Sequence, residues 1–377
     1  MQQNLTKTSA RLTLGFFVLQ EAEQIAISAY TLGISALTLP IELNPLAHEH
    51  QEQQFAEAIA PIFATLEELR KQLPSYIPQS STTSKEICRT FFQEGGKFIR
   101  PALFLLSCRL LGYEGEHLLP MAGVCELVHT ASLLHDDVID NSPKRRNKPT
   151  VNHLWGDESA VLVGDLFYAT ASELMARTEK LEIVRRYAEA IRTMSEGELL
   201  QLENIRHFDI ALETYFSILT AKTAALIGVI CRSAGILANR GEEQKNALEH
   251  FGLNLGLAFQ LVDDALDYRA DADDLGKQLL TDLREGKLTL PLLLLKEKAT
   301  SQELNEVAAI IDQDLIGNVQ AAYIVGLVTT YQTSEATLQR ASIYTEQAVQ
   351  SLRLAFAESP ARLHLEQLAF SLLSRGY

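Results

Sequence analysis

The sequence predicts an all-α protein of ten or more helices, several of them long. Three observations carry this. No proline lies between Pro149 and Pro291, whereas a strand-rich chain is punctuated by Gly/Pro turns about every 8–12 residues. Apolar residues recur at helical spacing, as in Leu127, Ala131 and Leu134 and again in Leu257, Leu261 and Ala265. Pro120 and Pro143 bracket one helix, at its first turn and just past its end.

In chain order, residues 1–52 form an additional N-terminal segment, in which Arg11–Gly33 reads as one or two helices. Gln24–Ile41 is uncharged but contains Ser, Thr, Tyr, Gly and Pro, and reads as core rather than as a surface anchor. Phe55–Leu73 reads as an amphipathic helix ending near Pro74, and Pro78–Lys85 as a polar linker. The 377 residues suffice for one large domain or two ordinary ones, with an ample buried core. No run of eighteen apolar residues escapes polar breaks, so no transmembrane helix is expected. No basic stretch followed by an apolar run opens the chain, so no secretory signal is expected either. The four cysteines, Cys88, Cys108, Cys125 and Cys231, form no C-x-x-C pair. They read as reduced core thiols in a reducing, cytoplasmic compartment.

The formal net charge is −15. This argues against nucleic acid as a partner, because bulk binding of that kind needs a basic footprint. An acidic protein can still bind an anion through metal ions or a local basic cluster. Both are present. No Asp occurs before position 136, and Asp-Asp-x-x-Asp occurs twice, in Asp136, Asp137, Asp140 and in Asp263, Asp264, Asp267. On a helix the first and last of each set share a face, and the middle one flanks them. Like charges on one face destabilise it unless a cation neutralises them, and Mg²⁺ accepts one or two carboxylates plus phosphate oxygens. Lys97 and Arg100 lie in "GGKFIRP", Lys144, Arg145, Arg146 and Lys148 follow the first motif, and Lys222 and Thr223 lie mid-chain. Lys277 and Lys287 follow the second motif. Guanidinium and ammonium groups are the usual diphosphate ligands. His129 stands one heptad before Asp136, as a core histidine or a phosphate donor. A calcium hand over Asp271–Asp282 is excluded by Leu275 where an oxygen ligand is required.

These residues resemble the trans-isoprenyl diphosphate synthases, the polyprenyl synthetase family. The resemblance runs from about residue 53 to the C-terminus through "GGKFIRP", "ELVHTASLLHDDVIDNSPKRRNKPTVN", "VLVGDLF", "GELLQL", "KTAALI", "AFQLVDDALDY", "LGK" and "DLREGKLTLPL", in the family order. It is most like synthases of long chains, such as octaprenyl or solanesyl. The resemblance implies mostly antiparallel helices around a central cavity, the isoprenoid synthase fold, as a homodimer. It implies three Mg²⁺ ions bound through Asp136, Asp140 and Asp263, with Asp137, Asp264 and Asp267 in support. Arg145, Lys222, Gln260 and Lys277 match contacts to an allylic diphosphate. Lys97, Arg100, His129 and Arg146 match the isopentenyl diphosphate site, and Lys287 lies in the matching "DLREGKLTLPL". The carbonyl region of Lys222 and Thr223, with Gln260, would stabilise the allylic cation as dipoles.

The chain departs from the family at Phe98, where a basic residue is usual, and at Leu280, where Gly is common. Bulk just before the first motif sets product length in this family. Ala131 and Ser132 are small there, which leaves the tunnel open to long products, with Phe167 and Tyr168 as candidate floor residues. A terpene cyclase is disfavoured because "DDALDYRAD" lacks that class's second metal pattern, and a regulatory subunit because both Asp motifs are intact. A peripheral membrane contact of Arg11–Gly33, to release an apolar product, is left open.

Overall fold

The computed structural model describes residues 53–78, 81–93, 96–145, 148–268 and 280–373. The N-terminal segment 1–52, with the helices and membrane contact considered for Arg11–Gly33, lies outside the described residues, as do Arg146 and Lys277. The described chain is almost wholly helical: α1 (Phe63–Tyr76), α2 (Thr82–Gln93), α3 (Ile99–Leu110), α4 (Leu118–Ile139), α5 (Val151–Trp155), α6 (Asp157–Ala176), α7 (Leu181–Glu203) and α8 (Leu212–Leu219) come first. A π-helical turn, Thr220–Ala224, leads into α9 (Ala225–Leu237) and then α10 (Glu242–Asp267). The short α11 (Thr281–Arg284) and α12 (Leu290–Leu293) precede α13 (Ser301–Ile311), α14 (Asn318–Thr330), α15 (Thr333–Ala355) and α16 (Pro360–Leu373).

Two expectations need correction. The helix expected over Phe55–Leu73 is interrupted by a 3-10 turn at Ala60–Ile62, where Pro61 has no N–H to donate. α1 then runs through Pro74 and stops at Tyr76, within a turn of the proline. The polar linker is also shorter than Pro78–Lys85. α2 begins at Thr82, and Ser81 Oγ accepts the Ser84 N–H at 3.0 Å, as an N-cap does. The Pro120–Pro143 bracket corresponds to α4, with Asp140 as its C-cap.

The basic run after α4 forms a minimal antiparallel pair, β1 (Lys144–Arg145) and β2 (Lys148–Pro149), with Arg145 opposite Lys148. This hairpin turns Arg145 back toward α4. Two apolar clusters make up the core. One joins α1–α7, α9, the first half of α10 and the C-terminal helices; the other joins α8, the second half of α10, α11–α14 and the start of α15. α10 belongs to both, through Phe251 and Leu255 and then Leu257, Leu261 and Ala265. Among the described residues, two stretches, Leu118–Ile139 and Leu212–Leu237, are long and apolar enough to cross a membrane by composition. Both pack in the core, and both carry charged residues of the site described next.

Candidate active site

Two glycines let three helices converge on the π-helical turn. A Cβ on Gly197 of α7 would lie 2.5 Å from the Ala221 Cβ, and one on Gly256 of α10 would lie 2.6 Å from the Ala224 Cα. Any side chain there would force the helices apart. A single π turn at such a point is a frequent mark of a functional site. Here it presents Lys222 and Thr223.

Lys222 Nζ pairs with Glu198 Oε2 at 2.5 Å and donates to Gln201 Oε1. Thr223 Oγ1 donates to Gln260 Oε1 at 3.0 Å, and Gln260 Nε2 donates to Asp264 Oδ1 at 3.0 Å. Tyr215, buried in the middle of α8, donates its hydroxyl to Asp264 Oδ2 at 2.5 Å. Asp264 is thus enclosed by neutral donors. Burial pushes its carboxyl up to about 7, helped by the charge of Asp282 and opposed by its hydrogen bonds. The Tyr215 hydroxyl is raised well above its ordinary value, first by burial and then by Asp264. Lys222, Thr223, Gln260, Asp264, Asp282 and Lys287 line one cleft of about 140 Å³.

The first motif sits at the C-terminal end of α4. Asp137 is buried, and Arg145 Nε donates to its Oδ1 at 2.9 Å. Its backbone carbonyl accepts from Asn152 Nδ2 at 3.1 Å, which ties α5 to the motif. Burial raises Asp137 above the usual carboxylate range, and Arg145 opposes this. Asp136 is pushed up to about 6 by burial and by Glu198, with Lys222 opposing. Asp140 Oδ2 receives Lys287 Nζ at 3.0 Å, from a residue 147 positions later. Burial works to lower the Lys287 pKa, but Glu285 and Asp140 hold it above the ordinary lysine value. The Arg206 N–H, donated to the Gly286 carbonyl at 2.9 Å, anchors the loop that carries Lys287.

The second motif ends differently. Asp267 Oδ1 accepts the Leu280 N–H at 3.0 Å, so it caps the start of α11. Its Oδ2 is buried without a hydrogen-bond partner among the described residues. Burial and Asp282 push Asp267 up to about 7, against the backbone N–H groups of Leu280, Thr281 and Asp282. Leu280, the departure from Gly, has φ +63 and a fully buried side chain. The backbone takes the left-handed shape that glycine favours, and apolar burial offsets the cost. Asp263 is partly buried on the face of α10 beside Asp264.

Of the residues matched to the second substrate, Lys97 is exposed, with Nζ 5.8 Å from the Phe55 ring centroid. Arg100 is partly buried on the first turn of α3. Gly96 lies against α4: a Cβ there would be 4.0 Å from Glu126 Oε1, one helical turn before His129. His129 is partly buried on α4, where its backbone carbonyl accepts from Ser132 Oγ at 2.8 Å.

Ala131 is fully buried and Ser132 partly so. α6 packs along α4 and carries both candidate floor residues. Phe167 is fully buried, its ring centroid 5.7 Å from that of Phe92. Tyr168 turns the other way, with its ring centroid 5.7 Å from that of His135. Burial and the nearby Asp136 raise the Tyr168 hydroxyl to about 12. Phe167 thus lies inside the apolar core, whereas Tyr168 packs against that core with its hydroxyl under the influence of Asp136.

Among the described residues, no three His, Cys, Asp or Glu side chains converge as a preformed metal cluster. The donors fit Mg²⁺ in another way. That ion takes one or two carboxylates and completes its shell with water and phosphate oxygens. Desolvated carboxyls such as Asp136, and the orphaned Asp267 Oδ2, are groups a dication would stabilise.

Sequence reasoning did not single out Tyr215, Glu198, Gln201 or Asp282 for roles in the site. Glu198 and Gln201 lie inside "GELLQL" and Asp282 inside "DLREGKLTLPL", so those motifs held the signal for them. Nothing local to Tyr215 pointed to Asp264.

Comparison with known proteins agrees with this arrangement. The polyprenyl synthetase family profile matches residues 81–325. Octaprenyl diphosphate synthase of Escherichia coli (strain K12) is 38% identical over 281 residues, which is 74% of this chain and 86% of that protein. Solanesyl-diphosphate synthase 2, chloroplastic, of Oryza sativa subsp. japonica is 34% identical over 307 residues, 78% of this chain and 75% of that protein. The crystal structure of a decaprenyl diphosphate synthase from Rhodobacter capsulatus superposes with a TM-score of 0.80 at 33% identity, covering 86% of this chain and 99% of that one. Two helical aspartate rows, the cations paired with the first of them and these similarities lead to one conclusion: the chain belongs to the polyprenyl synthetase family.

Proposed function

We propose that this chain is a Mg²⁺-dependent trans-polyprenyl diphosphate synthase that condenses isopentenyl diphosphate with an allylic diphosphate to give a long-chain product. The observation that carries the reading is Lys287. It lines the cleft with Gln260 and Asp264 of the second motif and reaches Asp140 of the first. A cation paired with the first carboxylate row thus lines the same cleft as Asp264 of the second, where a diphosphate and its metal ions would be received.

Asp136, Asp140 and Asp263 would hold Mg²⁺, three ions in all, whose charge offsets that of the departing diphosphate. Arg145, Lys222 and Lys277 would grip the same group. As the allylic C–O bond ionises, the Thr223 hydroxyl and Gln260 carbonyl, locked to each other, supply oriented dipoles beside the cation. The double bond of isopentenyl diphosphate, held by Lys97, Arg100, His129 and Arg146, attacks it. Loss of a proton to the released diphosphate completes the step. The enclosing helices exclude the water that would quench the cation.

Small residues one turn before the first motif support long products, because a methyl group at Ala131 leaves room that a ring would fill. The exposed apolar side chains Leu154, Val161 and Leu162 on α5 and α6 support a homodimer through that face. The four free, buried cysteines support a reducing, cytoplasmic location.

The test is product analysis. The purified chain is incubated with Mg²⁺, labelled isopentenyl diphosphate and geranyl or farnesyl diphosphate, and the dephosphorylated products are sized by mass spectrometry. A ladder ending at about seven or more isoprene units is expected, and Ala131→Phe should shorten it. A parent product of three or four units would overturn the long-chain reading, and no condensation would overturn the activity.

A further inference from the structure

We propose that Arg70 is a positioning residue for the basic loop Gly96–Arg100, acting as a clamp that presents Lys97 to the diphosphate of isopentenyl diphosphate. The inference rests on the function proposed above for that loop. Arg70 lies on α1, 26 residues upstream, and its Nη2 donates to the Gly96 carbonyl at 3.2 Å. Its guanidinium carbon also stands 4.7 Å from the centroid of the Phe98 ring. One side chain therefore grips residues 96 and 98, and Lys97 between them is left facing outward. Holding both neighbours of a residue fixes the direction in which its own side chain leaves the backbone.

Phe98 shows why a clamp is needed. Its backbone is left-handed at φ 51, a shape that bulky residues adopt only when the surroundings enforce it. The ring is buried, and the cation over its face supplies an attraction that aliphatic packing would not. The Phe98 carbonyl then accepts the Ala102 N–H at 2.9 Å and starts α3, on whose first turn Arg100 stands. Arg70 itself is steadied by Glu67, with Nε 3.5 Å from Oε1. Where the family usually has a basic residue at position 98, this chain has an aromatic ring, and the guanidinium arrives from α1 instead.

The experiment is steady-state kinetics on the full chain carrying Arg70→Ala, Phe98→Arg or both, with hydrogen exchange of residues 96–102 as a readout independent of catalysis. Arg70→Ala is expected to raise KM for isopentenyl diphosphate about tenfold, with kcat and the allylic KM within about twofold of the parent. The loop amides should exchange about tenfold faster at an unchanged melting temperature. Phe98→Arg alone sets two guanidinium groups together and should raise the same KM. Combining it with Arg70→Ala should return that KM to within about threefold of the parent. Unchanged KM and exchange in Arg70→Ala would overturn the clamp, as would an equal loss for both substrates or simple additivity in the double variant. If the parent chain performs no condensation, the proposed function fails, and the exchange measurement still decides the clamp.

Discussion

The two aspartate motifs share one spacing and occupy opposite kinds of surroundings. In the first, the middle carboxylate, Asp137, meets the cation of Arg145, and the last, Asp140, meets the cation of Lys287. In the second, Asp264 meets the neutral donors Tyr215 and Gln260, and Asp267 meets backbone N–H of the segment that opens α11. Burial raises carboxyls in both, but full cations oppose it only in the first. Asp264 and Asp267 therefore hold protons to higher pH than an ordinary carboxyl until a cation arrives. Spacing puts three carboxylates on a helix, and the neighbouring elements decide what each can do.

The largest effect should separate residues proposed to hold metal from those that support them. Asp136→Asn is expected to lower kcat by at least about a thousandfold at saturating Mg²⁺, and Asp264→Asn by about tenfold, read as single-turnover rates. Equal losses would break the distinction between the two roles. Stability sharpens the same contrast. Tyr215→Phe leaves a buried carboxyl short of a donor and should cost about 1–3 kcal/mol in urea unfolding. Arg145→Leu should cost about 1 kcal/mol, because its partly exposed side chain is screened by solvent.

The pH dependence distinguishes the rows again. Folded-state pKa values of about 7 for Asp264 and Asp267 exceed the ordinary carboxylate value, so between about pH 4 and 7 the folded state binds more protons than the unfolded one. Their contribution is complete below the unfolded pKa and is lost as pH rises through the folded one. The metal-free melting temperature should therefore fall across that window. Asp267→Asn should flatten the fall, and Mg²⁺ with inorganic pyrophosphate should oppose it; a flat profile in the parent would contradict this. The smallest effect is expected at the entry to α11. Leu280→Gly relieves about 1.5 kcal/mol of left-handed strain but removes about 2 kcal/mol of burial, for a net loss of about 0.5 kcal/mol in the same urea assay.

Much of the site could be read from sequence because its strongest signals are local. Helical periodicity placed Asp136 with Asp140 and Asp263 with Asp267, and the proline bracket located α4, since both depend on neighbours within a few turns. The same local reading extended a helix across Pro61 and lengthened a linker past Ser81, where a 3-10 turn and a single cap decided the boundary. The resemblance to the family marked Phe98 and Leu280 as departures without revealing that both take left-handed backbone.

By itself, then, the sequence determined the helical class, the two carboxylate rows and the basic residues around them. Which cation meets which carboxylate was decided by the tertiary structure. Lys287 meets Asp140 across 147 residues, Tyr215 meets Asp264 across 49, and Arg70 meets Gly96 across 26. Such pairs depend on how closely helices pass, as at Gly197 and Gly256, where the missing side chains set the approach. Distances of that kind follow from packing of the whole core, and no short stretch of chain encodes them.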